Sequence, residues 1–190
     1  MTSPWLDSPA RYGRITRFLH WTIALLLVWQ FLGMIFKVTL GRRHDLTALF
    51  ASDHKAVGLT LMVLIAIRVI WALSQWRNRP RYPATWLGRA AAAGHIVLYL
   101  AMLYIPTVAL MREYGRTGAL VIRGVEVFSE RAESIPWLIA PASASHGLMG
   151  WLLFTLILGH ILMALVHQYH WRDQTLTRMA GRNRSGEEPA

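Results

Sequence analysis

Residues 145–166 read SHGLMGWLLFTLILGHILMALV. The run holds no Asp, Glu, Lys or Arg, and it is long enough to cross ~30 Å of bilayer hydrocarbon, which takes ~20 helical residues. No water is present there to satisfy backbone N–H and C=O groups, so a spanning segment must be a helix or part of a closed barrel. The run does not alternate with period two, which makes it a helix. Its two histidines, His146 and His160, are fourteen positions apart. At 100° per residue they return to within about 40° of the same face, ~21 Å apart along the axis. Two imidazoles therefore look in one direction at two depths.

Working outward, three more apolar runs match this one in length: about 15–36, about 56–76 and about 90–111. The first is too long for a removable signal peptide, and no small-residue cleavage site follows it. The expected fold is all-α, a transmembrane four-helix bundle in one domain over 1–190. Its fourth span covers about 145–166, and its one long connection covers about 112–144. Composition agrees: 54% of residues are hydrophobic and only 16% charged, against about 25% charged in soluble chains. Mean hydropathy is +0.33. The absence of cysteine excludes disulfides, iron–sulfur clusters, thiolate zinc sites and covalent c-type haem attachment. A net charge of +10 suggests nucleic acid, but the charges flank the apolar runs as they do at membrane edges. The expected surroundings are a lipid bilayer, with no nucleic acid.

Four spans put both termini on one side. Eleven basic residues fall on that side: Arg11, Arg14, Arg17, Arg77, Arg79, Arg81, Arg89, Arg172, Arg178, Arg182 and Arg184. Eight fall on the other: Lys37, Arg42, Arg43, Lys55, Arg112, Arg116, Arg123 and Arg131. The bias predicts both termini inside. Trp71, Trp76, Trp86 and Trp171 near that edge read as interface anchors. The long connection carries Gly115, Gly118, Gly124, Pro136 and Pro141 with apolar stretches around Ala119 and Val125, enough to lie as a cap over the outer bundle end. Residues after Gly181 read as a frayed tail.

The same topology assigns partners to the two histidines. His20 lies five residues into the first span from inside, and His160 lies six residues before the fourth span leaves on that side. His54 and His146 each begin a span from outside. The result is two transverse pairs, His20 with His160 and His54 with His146. Facing side chains are how bundles build cofactor sites, and paired imidazoles are the arrangement expected for bis-histidine ligation of two b-type haems (heme b). A zinc site would want three or four protein ligands. Gly58, Gly147, Gly150 and Gly159 accompany the histidines; taken alone they read equally as sites of close helix packing. Arg68, two turns before the inner end of the second span, either snorkels inward or pairs with a haem propionate. His95, alone on the third span, reads most simply as a hydrogen-bonded interhelical histidine. His167, His170 and Trp171 are either solvated interface residues or part of a quinone-sized pocket beside the inner haem.

Taken together, His20-Trp21, His54-x-x-x-Gly58, Arg68, the run from His95 through Tyr99 to Pro106, the His146…His160 pair and the closing stretch His167–Met179 resemble bacterial cytochrome b561. The resemblance covers about Tyr12 to Met179. It implies four transmembrane helices holding two b haems in the bacterial inner membrane, with His20, His54, His146 and His160 as metal ligands and His95 as a non-ligand. One type of member is a superoxide oxidase, which passes electrons from superoxide at the outer face to ubiquinone; His167 and Trp171 match its quinone-contacting region. Two departures stand out: Pro106-Thr-Val-Ala109 lacks the glycine often found after that proline, and the outer connection matches least.

Bis-histidine iron has no open position, so outer-sphere electron transfer is the expected chemistry, with no catalytic side chain. The reading that follows is a dihaem cytochrome carrying electrons from superoxide or another outer donor to membrane quinone. The alternative is a haem-bearing anchor subunit of a dehydrogenase or hydrogenase. A proton-coupled transporter ranks last, since four helices without a repeat or a broken helix make a poor one. Outer carboxylates offset most of the outer basic charge, and only a local cluster of Lys37, Arg42, Arg43 and Lys55 near His54 would steer an anion.

Overall fold

The long apolar runs and their flanking caps decide the elements. In the computed structural model, which describes residues 3–173 and 175–181, α1 (Arg14–Thr39) is followed by a short α2 (Asp45–Ser52), then α3 (His54–Ser74) and α4 (Trp86–Gly115). A two-stranded hairpin, β1 (Leu120–Ile122) and β2 (Val125–Phe128), leads into α5 (Pro136–Val166). α5 continues through a π-helical turn, His167–Trp171, and a last short helix, α6 (Thr175–Ala180), follows. Among the described residues, four helices (α1, α3, α4 and α5 with its π turn) are long and apolar enough to cross a membrane. The tail expected to fray, with Arg182 and Arg184, lies outside the described residues.

Local chemistry sets the boundaries. The Thr85 hydroxyl accepts from the Gly88 N–H at 3.2 Å and starts α4. The His44 ring accepts from the Leu46 N–H and starts α2. Pro136 opens α5, at a position where a missing N–H costs nothing.

The connection expected over about 112–144 is shorter and more structured than that. α4 runs on to Gly115 and α5 begins at Pro136, leaving the hairpin between them. Hydropathy found only the apolar part of each helix. The polar ends continue because α4 and α5 pack tightly: a Cβ on Gly115 would lie 2.9 Å from Leu138 Cβ, and the Ile135 N–H donates to the Gly115 carbonyl at 2.8 Å. α5 with its π turn is 36 residues long, ~54 Å at 1.5 Å per residue, so it projects beyond the hydrocarbon. The hairpin turns through Arg123 (φ 49°) and Gly124 (φ 81°), the paired positive φ angles of a two-residue type I′ turn.

A small dry core lies between α1, α3 and α4. Ile23, Leu61 and Ile65 pack there against Leu27, Val57, Tyr99 and Met102. Close backbone packing runs from α1 to α3, α3 to α4 and α4 to α5. No comparable packing joins α5 to α1 or α3 among the described residues. Outward-facing apolar side chains such as Leu25 and Leu148, 70% and 67% exposed, suit a lipid solvent.

Candidate functional site

Across the gap that α5 leaves, histidines meet at two levels. His20 of α1 and His160 of α5 have ring centroids 6.4 Å apart with an interplanar angle of 66°. His54 of α3 and His146 of α5 stand 6.0 Å apart at 76°. A metal–imidazole bond is ~2.0–2.1 Å and the ring centre lies roughly 1 Å behind the nitrogen, so one ion gripped from both sides sets the centroids ~6 Å apart. Both pairs meet that requirement. His95 of α4 does not: its ring lies 5.1 Å from His160 at 88°, too close for an ion gripped from opposite sides, and its Nδ1 donates to the Ala91 carbonyl at 2.7 Å. His146 Nδ1 lies 3.3 Å from the Ile105 carbonyl. A donated Nδ1–H of this kind leaves Nε2 as the ring's free acceptor.

The donor set fits a metal macrocycle. Each level offers two imidazoles, which would hold an iron whose other ligands come from the macrocycle. Among the described residues no three His, Cys, Asp or Glu side chains converge on one point, so no third protein ligand competes. A Cβ added at Gly147, beside His146, or at Gly159, beside His160, would meet nothing within 4 Å. Neither glycine is therefore a close helix contact. Gly58 and Gly150 do face neighbours, Gln30 Nε2 at 3.3 Å and Met34 Sδ at 3.8 Å.

Arg68 of α3 sits beside the His20–His160 pair. Its Nε donates to the Tyr99 hydroxyl at 3.0 Å and an Nη donates to the Thr16 carbonyl at 3.1 Å. Of five N–H donors, three remain for an anion. Behind it lies a network that sequence reasoning missed. The Asp7 side chain is fully buried and pairs with Arg79 at 3.2 Å. Its Oδ1 accepts from the Gly13 N–H at 2.8 Å and the Thr16 hydroxyl at 2.7 Å, and Trp71 Nε1 donates to that hydroxyl at 2.9 Å. One signal was available: Asp7 is the only acidic residue before Asp45. Gln30 was missed as well, a lone amide within the first span, whose Nε2 donates to the His54 carbonyl at 3.0 Å.

The family profile described as prokaryotic cytochrome b561 matches residues 11–182. The chain belongs to that family. It is 30% identical to cytochrome b561 homolog 2 of Escherichia coli (strain K12), over 94% of this chain and 96% of that protein. It is 26% identical to cytochrome b561 homolog 1 of the same organism, over 92% and 99%. It is also 24% identical to a probable superoxide oxidase CybB of Yersinia pestis, over 92% and 98%. The family binds b-type haem, and this member is a multi-pass membrane electron-transfer cytochrome.

At the end of the cytochrome where both termini lie, His167 and Trp171 share the π turn, with ring centroids 4.5 Å apart. His167 Nδ1 pairs with the Asp173 carboxylate, which also accepts from the Thr175 hydroxyl at 2.7 Å and its N–H at 3.1 Å. Desolvation, the largest single influence, pushes the Asp173 carboxyl up, but the bonds from His167 and Thr175 together outweigh it and hold the group below its ordinary range. At the opposite end, the expected basic cluster around His54 is partly neutralised. Lys55 pairs with Glu113 at 2.8 Å, as do Arg112 at 3.4 Å and Arg116 at 3.6 Å. Arg123 of the hairpin pairs with Asp53 at 2.8 Å and brings β1–β2 over the start of α3.

Proposed function

We propose that this cytochrome holds two b haems, one between His20 and His160 and one between His54 and His146, and carries electrons from an outer donor, superoxide in the favoured case, to ubiquinone at the inner face. The reading rests on one observation: two imidazole pairs at iron-spanning separation, 6.4 and 6.0 Å, at the two ends of α5. When bound, haems ligated this way supply one-electron carriers with no open coordination position. The remaining chemistry belongs to the protein. Oxidation of superoxide to O₂ releases one electron and no proton, so the outer end needs only access. Reduction of ubiquinone to ubiquinol takes two electrons, one from each of two superoxide molecules, and two protons that superoxide does not carry, so the inner end needs a proton donor.

His167 suits that role. Asp173 stays ionised at neutral pH and takes the hydrogen bond from His167 Nδ1, which leaves Nε2 to exchange a proton beside Trp171. Arg68, held by Tyr99 and Thr16, offers its free N–H groups to a propionate. The charge bias and the family together support an inner membrane with both termini cytoplasmic.

A redox-titrated optical spectrum of the purified protein tests the reading. It should give two haems per chain and superoxide consumption that quickens with added quinone. One haem, or no response to quinone, would overturn it. A stoichiometric dehydrogenase or hydrogenase subunit co-purifying with the protein would make it an anchor instead.

A further inference from the structure

We propose that the groove between the start of α1 and α6 binds the phosphate of an anionic membrane phospholipid. The groove is shallow and widely open, with a volume of about 340 Å³, and is lined by Arg14, Arg17, Phe18, Trp21, Met179 and Ala180. Its floor is closed by a hydrogen bond from Trp21 Nε1 to the Met179 carbonyl at 3.3 Å. Arg14 is the first residue of a membrane-spanning helix, which puts its side chain at headgroup depth. Phe18 and Trp21, one and two turns deeper, are 69% and 49% exposed and face the level where acyl chains begin.

The charge in this groove lacks a counterpart. Among the described residues neither Arg14 nor Arg17 has a carboxylate within ion-pair distance, whereas Lys55, Arg79, Arg112, Arg116 and Arg123 each have one. Arg17 Nε is buried and meets no acceptor among the described residues. Buried N–H groups are normally satisfied, so the site points to an anion. Arg14 is held over the Trp5 ring, 5.3 Å from its centroid, and Arg17 lies over Gly181, where a side chain would collide with it. Two guanidinium forks held on separate supports suit a tetrahedral phosphate. The apolar wall below them suits a phosphate that carries chains rather than a free one. The proposal does not depend on how the haems are ligated.

The test uses the full-length, haem-loaded protein stripped of lipid in detergent, with phosphatidylglycerol and phosphatidylcholine compared by native mass spectrometry. Each basic side chain near an anionic surface contributes about fivefold, so wild type should prefer phosphatidylglycerol by tenfold or more. Arg14→Gln/Arg17→Gln should lower this preference to about twofold with the haem spectrum unchanged, while Arg77→Gln should keep it. Three results would overturn the proposal: equal retention of both lipids by wild type, a preference that survives the double substitution, or displacement of the lipid by inorganic phosphate or ubiquinone at equal concentration. A chain ending at Gly181 that gains affinity would mean that the tail, with Glu187 and Glu188, is the natural occupant, and this too would overturn it.

Discussion

His20 and His95 both face His160 from neighbouring helices, at 6.4 and 5.1 Å, and only the wider gap suits an ion gripped from opposite sides. His160→Ala or His20→Ala should therefore halve the haem content, removing the inner spectrum and sparing the outer; His54→Ala or His146→Ala should do the reverse. His95→Ala should keep both, and loss of a whole haem there would overturn the pairing. Arg68→Gln removes a positive charge beside the inner level and should lower the inner midpoint potential in an optical titration, leaving the outer one unmoved. The four paired histidines were legible in the sequence because helix periodicity and the direction of each span fix both azimuth and depth. Asp7 was not, because it lies ahead of α1 in a segment with no period. Its partners are set by how the chain folds back: Thr16 is nine residues on and Arg79 is seventy-two. Asp7→Ala would leave Arg79 and the Thr16 hydroxyl without their partner in a largely dry place. It should cost about 2–3 kcal/mol, read as a lower melting temperature in detergent.

At the level of elements, the spans were found and their ends were not. Hydropathy marks where a helix meets lipid, whereas α4 and α5 extend until packing or caps stop them, at Gly115 and Pro136. The hairpin was hidden for a different reason. Its Arg-Gly turn is a weak signal, and its strands of three and four residues exist because Arg123 reaches Asp53 and because Tyr114 and Phe128 stack with centroids 5.2 Å apart. Gly124→Val places a β-branched residue at φ 81° and should cost about 1–2 kcal/mol. Faster hydrogen exchange confined to residues 116–135 would show it. The π turn makes a pH-dependent clasp. Asp173 is held below its ordinary value of 3.8, so the clasp is fully present above that pH and is lost as pH falls through the lower folded value. Trp171 fluorescence should then change in acid in wild type, and Asp173→Asn should show the acid spectrum already at neutral pH.

For the whole molecule, the packing pattern makes the bundle depend on what lies between its helices. Backbones pack from α1 to α3, α3 to α4 and α4 to α5, while α5 meets α1 and α3 through side chains: Phe154 against Phe31, and imidazoles that face one another across a gap at two levels. Two haems filling that gap would join α5 to α1 at one end and to α3 at the other, closing an open row of helices into a ring. Ligand that binds only the folded state adds stability by mass action, so haem-depleted protein should melt lower. The loss should also be uneven. Exchange should rise most in α1, whose extensive backbone packing among the described residues is with α3 and α2, and least along the α4–α5 interface, where packing is most extensive. His20→Ala, lacking only the inner ligand, should reproduce the change in the His20 half of α1 and leave the outer ends of α3 and α5 protected. Uniform loosening of all four spans on haem removal would mean that the bundle closes by helix packing alone.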